Sequence, residues 1–222
     1  MNLSDMYQKI VYFDTETTGF NPEDRDQVIE LAAVSPDSKM DEYVSLFKMP
    51  QLPPKIVELT GITDLQLFSV GKKEKDVLEE FIDLIRSDKT LLVAYNAGFD
   101  LRFIGYALMR CQVKEWLQIF NACDYLDSMT VYKDRRPYPH KLFNAISAYN
   151  LSEENSHNAL DDCMALKAVT EAMNKEKDDL DKYVNVFGYN PKYGPDTRLK
   201  KVVYLPQGYF KSCEGKPLYE RS

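Results

Sequence analysis

Apolar and polar positions alternate in short runs along the first fifty residues and then settle into helical spacing. Residues 9–14 (KIVYFD), 27–34 (QVIELAAV) and 43–48 (YVSLFK) are brief β-rich stretches separated by the turn-forming NPED and SPDSKMD. Three such runs in succession predict a meander. From 76 to 86, Val77, Leu78, Phe81, Ile82, Leu84 and Ile85 recur at helical spacing between acids and bases, which predicts an amphipathic helix. Residues 90–95 (TLLVAY) form a compact apolar run of strand length, followed by NAGFD and a second helix over about 100–110.

Helical spacing returns at 141–149 and over 158–175, where Ala159, Leu160, Cys163, Leu166, Val169 and Met173 make one broad apolar stripe. Beyond Lys175 the pattern dissolves into the mixed-charge KEKDDLDK and a tail containing LKKVVYLPQGYF. This predicts a main domain over 1–175 and a C-terminal extension over 176–222. No internal repeat or low-complexity segment interrupts the chain.

Composition adds bounds. The chain has 222 residues, 44% hydrophobic and 28% charged, the profile of a globular α/β domain with room for a real core. The opening MNLSDMYQKIVYF lacks the basic start and apolar run of a secretory signal, and no stretch approaches the roughly 20 apolar residues that span a bilayer. A cytoplasmic protein with no membrane contact is expected. Cys111, Cys123, Cys163 and Cys213 include no CxxC pair, which argues for reduced thiols rather than a zinc knuckle.

The net charge of −7 is unusual for a protein that grips long nucleic acid. Either the chain does not touch nucleic acid, or it holds only the last few nucleotides with cations supplying positive charge. From Gly188 onward seven basic residues face three acids, so this stretch carries +4 and the remainder −11. Its interleaved tyrosines suit a single strand or a protein partner. The plainer alternative is a solvated hairpin with VVY and GYF as strands about a PQG turn.

Candidate chemistry gathers in three places. Asp14 and Glu16, in Asp14-Thr15-Glu16-Thr17-Thr18-Gly19, are two apart on a strand and so point to one side. Adjacent carboxylates repel unless a cation lies between them, and hard oxygen donors suit magnesium or manganese. Taken alone, such a pair occurs on many solvated strand faces. Asp100 closes NAGFD at the start of a helix, where the helix dipole already favours an acid. His157 precedes the last strong helix, and Asp162 falls within its first turns.

In this order the motifs DTETTG, NAGFD and HNALDD resemble those of the DEDDh exonucleases of the DnaQ-like family, within the ribonuclease H-like fold, over residues from about 9 to 174. ELTGIT at 58–63 resembles the family's segment beside the substrate end, and VIELAAV its second strand. The resemblance implies an α/β fold with a central mixed five-stranded sheet flanked by helices and a short C-terminal extension. It further implies a 3′→5′ exonuclease that releases nucleoside 5′-monophosphates from DNA 3′ ends. Asp14, Glu16, Asp100 and Asp162 would hold two divalent cations, Mg²⁺ or Mn²⁺, with Asp14 bridging both, and His157 would be the general base. Thr15, Thr17, Leu59 and Phe99 would contact the terminal nucleotide. A polymerase or other protein partner would use the extension.

RNA 3′ ends are the alternative substrate, with the same five residues. A non-catalytic nucleic-acid-binding module is the alternative of another class. Two departures bear on substrate preference alone: Tyr95 stands where the family often has histidine, and Asn158 where many members have arginine.

Overall fold

A computed structural model describes residues 3–45, 51–152, 156–189, 194–206 and 217–220. After a short helix α1 (Leu3–Met6), strand β1 (Lys9–Thr17) pairs antiparallel with β2 (Val28–Ser35), and β2 with β3 (Ser38–Ser45). The meander expected from the pattern is present, with its third strand earlier than expected. Only Pro36 and Asp37 turn, because Ser38 onward pairs back on β2 in register with Ser35. Residues 46–48 of the expected strand lie outside the described residues.

Two seven-residue helices follow, α2 (Pro54–Thr60) and α3 (Asp64–Val70). Pro54 opens the first and Gly61, at φ 71°, closes it in the left-handed region that a glycine enters without steric cost. The Thr63 side chain caps the second by accepting from the Gln66 amide. Strand β4 (Lys72–Lys73) then adds to β3 in parallel, and helix α4 (Glu74–Ile85) leads to β5 (Thr90–Ala94).

Helix α5 (Ala97–Arg110) starts three residues before Asp100, because the Asn96 and Ala97 amides are held by a carboxylate from a later strand. That strand is β6 (Asp124–Asp127), reached through α6 (Trp116–Ala122) and followed by α7 (Ser128–Arg135), α8 (Leu142–Ala148) and α9 (Ala159–Glu176).

The sheet order is β4-β3-β2-β1-β5-β6, with parallel pairing at β3–β4, β1–β5 and β5–β6. It is a mixed sheet of six strands rather than the expected five, the addition being the two-residue β4. Alternation along β1 sorts the core. Val11 and Phe13 face α4 and α5 on one side, whereas Tyr12 faces the layer built from α7, α8 and α9 on the other. Asp14 and Glu16, in step with Tyr12, therefore project toward α9.

The extension packs on this body. Strands β7 (Val186–Tyr189) and β8 (Val203–Pro206) pair in parallel, so VVY finds its partner upstream, and GYF lies outside the described residues. The expected pairing of VVY with GYF about PQG therefore lies outside the described residues, and the strand pairing seen for VVY is the parallel one with β7. Asn185 stitches the extension to β6: its amide donates to the Tyr125 carbonyl at 2.7 Å, and its Oδ1 accepts from the Tyr125 amide at 3.0 Å. The Arg198 guanidinium lies 4.5 Å from the centre of the Tyr106 ring on α5. No helix among the described residues is long and apolar enough to cross a membrane, and Cys111, Cys123 and Cys163 are free thiols.

Phe187 is fully buried, edge-on to both Tyr125 and Tyr204. Phe187→Ala leaves a cavity beneath α5 and should cost about 3–5 kcal/mol in a urea titration. A loss below about 1 kcal/mol would mean that the extension sits on the body without sharing its core.

Candidate active site

Strand β1 delivers its acids to the end of the sheet where β2 shifts register, between Glu16 and Thr17. Thr15, between the two acids, points the other way and holds Asp100: its amide and hydroxyl both donate to Asp100 Oδ1, at 3.1 and 2.6 Å. The first motif and the second are thus joined by hydrogen bonds across 85 residues of sequence. The Thr17 hydroxyl donates to the Gly19 carbonyl at 2.9 Å. A side chain at 19 would meet the Asp26 carboxylate at 2.4 Å, so any residue larger than glycine would have to displace that carboxylate. Asp26 in turn accepts from the Phe20 and Asn21 amides, each at 2.8 Å.

Helix α9 brings the third motif to the same place. Asp162 lies in its first turn, buried, while His157 sits one residue before its cap with φ at 55°, exposed to solvent. Ligand atoms of Glu16, His157 and Asp162 lie within 4.8 Å of one another. All five residues expected to form the site lie on β1 or at the starts of α5 and α9.

Crowding shows in the acid strengths. Glu16 is pushed up to about 8 by burial, then by Asp162, Glu30 and Asp100. Asp100 is pushed up to about 7, again chiefly by burial, against the hydrogen bonds from Thr15. Asp14 is raised well above the usual carboxylate range by burial and by Asp100, Asp162 and Glu16. The strongest charged neighbours of Asp14 and Glu16 are acids, and hard carboxylate oxygens in this arrangement fit a divalent cation.

Two residues beside the site went unread in the sequence. Glu30, 0% exposed and directly across the strand pair from Glu16, accepts from the Ala159 amide at 3.1 Å and from Asn158 Nδ2 at 3.2 Å. Burial raises its carboxyl to about 7. Its one sequence signal is an acid inside the apolar run VIELAAV. Phe20, 67% exposed, stands edge-on to Phe99 at 6.2 Å, and Phe99 packs on the buried Phe103 at 4.9 Å. Leu59 is exposed on α2. Tyr95 points into the helical layer, where its hydroxyl donates to the His140 carbonyl at 3.0 Å.

A family model described as Exonuclease, RNase_T, matches residues 11–170. The chain is 31% identical over 160 residues to the DNA polymerase III subunit epsilon of Treponema pallidum, covering 69% of this chain and 72% of that one. It is 32% identical over 199 residues to a PolC-type DNA polymerase III of Clostridium perfringens, covering 86% of this chain and 13% of the relative's length. Among solved structures, zinc-bound Escherichia coli exonuclease I in complex with single-stranded DNA superposes with a TM-score of 0.70 at 21% identity, over 80% of this chain and 42% of that one. At that identity the likeness is one of fold, the ribonuclease H-like arrangement. With all five residues of the carboxylate and histidine cluster inside the matched segment, the chain belongs to the RNase_T exonuclease family, the DnaQ-like group that its motifs resemble.

Proposed function

We propose that this chain is a divalent-metal-dependent 3′→5′ exonuclease of the DEDDh type that hydrolyses phosphodiester bonds at DNA 3′ ends and releases nucleoside 5′-monophosphates. The observation that carries this reading is the convergence of Asp14, Glu16, Asp100 and Asp162 at one strand end, with a solvent-exposed histidine within 4.8 Å of two of them. The names of the relatives, polymerase subunits among them, support DNA as substrate and a polymerase as partner, and we assign that contact to 176–222 for its basic, tyrosine-rich composition.

The four carboxylates, Asp14, Glu16, Asp100 and Asp162, would hold two cations, Mg²⁺ or Mn²⁺. Bound there, such cations supply the positive charge that offsets the phosphate and the charge developing on the attacking and leaving oxygens. Thr15 keeps Asp100 in place through its amide and hydroxyl. The His157 ring, open to solvent, takes the proton from the attacking water at a ring nitrogen. Leu59 and Phe99 offer apolar faces to the terminal base, and the backbone of Thr15 and Thr17 lies along the strand that carries the acids.

With 5′-labelled single-stranded DNA and Mg²⁺ or Mn²⁺, the wild type should give a ladder shortening from the 3′ end. His157→Ala should slow that ladder by about 10²–10⁴-fold, the usual worth of a positioned general base, with its fold intact. Equal rates in the two proteins would remove His157 from the reaction.

The acid strengths also predict a pH signature. Glu16 and Asp100 titrate higher in the folded chain than unfolded carboxylates do, so the metal-free native state holds extra protons at mildly acidic pH. Their stabilising contribution is complete below about pH 4 and is lost as pH rises through about 7–8. In chelator the Tm should therefore fall from pH 5 to pH 8, and added Mn²⁺ should raise it more at pH 8 than at pH 5. A Tm increment from Mn²⁺ equal at both pH values would mean that the ion binds elsewhere.

A further inference from the structure

His157 occupies the left-handed region, which costs a residue with a side chain about 1–2 kcal/mol and persists only where neighbours enforce it. The next two residues are the ones Glu30 holds. Glu30 Oε1 accepts from Asn158 Nδ2 at 3.2 Å, and Oε2 accepts from the Ala159 amide at 3.1 Å. Asn158 uses its other side-chain atom, Oδ1, to accept from the Asp161 amide at 3.2 Å and cap α9. Glu30 itself is fixed in the middle of β2, opposite Glu16. One carboxylate thus ties the strand beside Glu16 to the turn that presents His157 and to the helix that presents Asp162.

We propose that Glu30, acting through Asn158 and the Ala159 amide, is the positioning residue that sets the His157 ring against Glu16 and Asp162 during hydrolysis. This rests on the exonuclease reading above. It also gives Asn158 a part: a side chain that donates to Glu30 and accepts from Asp161 at once does both jobs at that position.

A charge swap tests it. Glu30→Gln keeps one acceptor for two donors, so its amide nitrogen meets either the Ala159 amide or Asn158 Nδ2 donor to donor, and the second clash is relieved only if Asn158 flips and abandons its cap. Asn158→Asp sets two carboxylates against each other. In the double variant the amide introduced on β2 can donate to the carboxylate introduced at the helix cap, whose second oxygen still accepts from the Asp161 amide. Each single variant should lower kcat on single-stranded DNA by about 10–100-fold with KM within about 3-fold, the scale of a misplaced reacting group, and the double should return to within about 5-fold of wild type.

A second readout needs no turnover. The chain has two histidines, His140 and His157. Mn²⁺ held by the carboxylates should broaden the His157 Cε1–H resonance of the wild type ahead of that of His140. In Glu30→Gln that broadening should require several-fold more Mn²⁺, and in the double variant it should return. Unchanged broadening and kcat in Glu30→Gln would overturn the proposal. So would a loss of kcat with the His157 signal unaltered, or a double variant no better than the worse single. Should Glu30→Gln fail to fold, Asn158→Asp and the double variant still decide the matter. Absence of cleavage by the wild type would overturn the exonuclease reading alone, since the His157 resonance judges Glu30 without it.

Discussion

Like charge confined to one end of the sheet is the constraint around which the rest of the molecule is arranged. Two carboxylates about 4 Å apart repel by about 4 kcal/mol in a protein of ordinary effective dielectric, and burial removes the water that would soften this. Here Asp14, Glu16, Asp100 and Asp162 converge with Glu30 behind them, and the first four cannot be separated without dismantling β1, α5 or α9. The chain meets the strain partly by weakening Asp14, Glu16 and Asp100, which keep protons above their usual range. What remains is a concentration of negative charge that fits cations. On the proposed reading, the acidic total of the chain is no obstacle to acting on a polyanion, because the positive charge at the reacting phosphate would come with the ions rather than from lysine and arginine.

Where a residue's role is written in its immediate neighbours, the sequence is legible. Asp14 and Glu16 share a side because strands alternate, and α4 and α9 announce themselves by apolar stripes that the structure buries on opposite faces of the sheet. Asp100, His157 and Asp162 are legible through the order of the motifs that contain them. Strand β6 was not legible: it has four residues, two of them acidic, and its burial comes from β5 and from an extension some sixty residues later. Helices α2 and α3 were missed for a related reason, being two turns long and without a wide apolar face. Their starts and ends rest on Pro54, Gly61 and Thr63, which also suit a loop.

The extension illustrates the same limit from the other side. A change in composition after Lys175 is plain in the sequence, and α9 does end at Glu176. Composition says nothing of contacts, however, and Phe187, Leu199 and Arg198 find their partners on α5, α6 and β6. Of the positive charge that marks this stretch, Lys201 pairs with Asp124 on β6 and Arg198, paired with Asp196 of the same stretch, lies over the Tyr106 ring on α5, so part of the basic character serves to fasten it to the body.

The two helices that carry motif acids begin in the same way, and this explains how so much like charge is held still. Helix α5 starts after Asn96, at φ 69°, and α9 starts beyond His157, at φ 55°; both residues lie in the left-handed region. In each case a buried acid from the sheet takes a free amide at the helix start. Asp127 Oδ1 accepts from the Asn96 and Ala97 amides, and Glu30 accepts from the Ala159 amide and from the Asn158 side chain. Amides at a helix start have no partner within the helix and attract negative charge, so a fixed carboxylate there satisfies both needs and locks the entry angle of the chain. Asp127 and Glu30 lie 30 and 129 residues from the amides of Ala97 and Ala159 that they hold, which is why no local pattern marks them. Asp100 and Asp162 therefore sit on helices whose starts are held by two acids that the motifs omit, and two sets of carboxylates are nested here: one gathered at the candidate site, the other bonded to the chain where its helices begin.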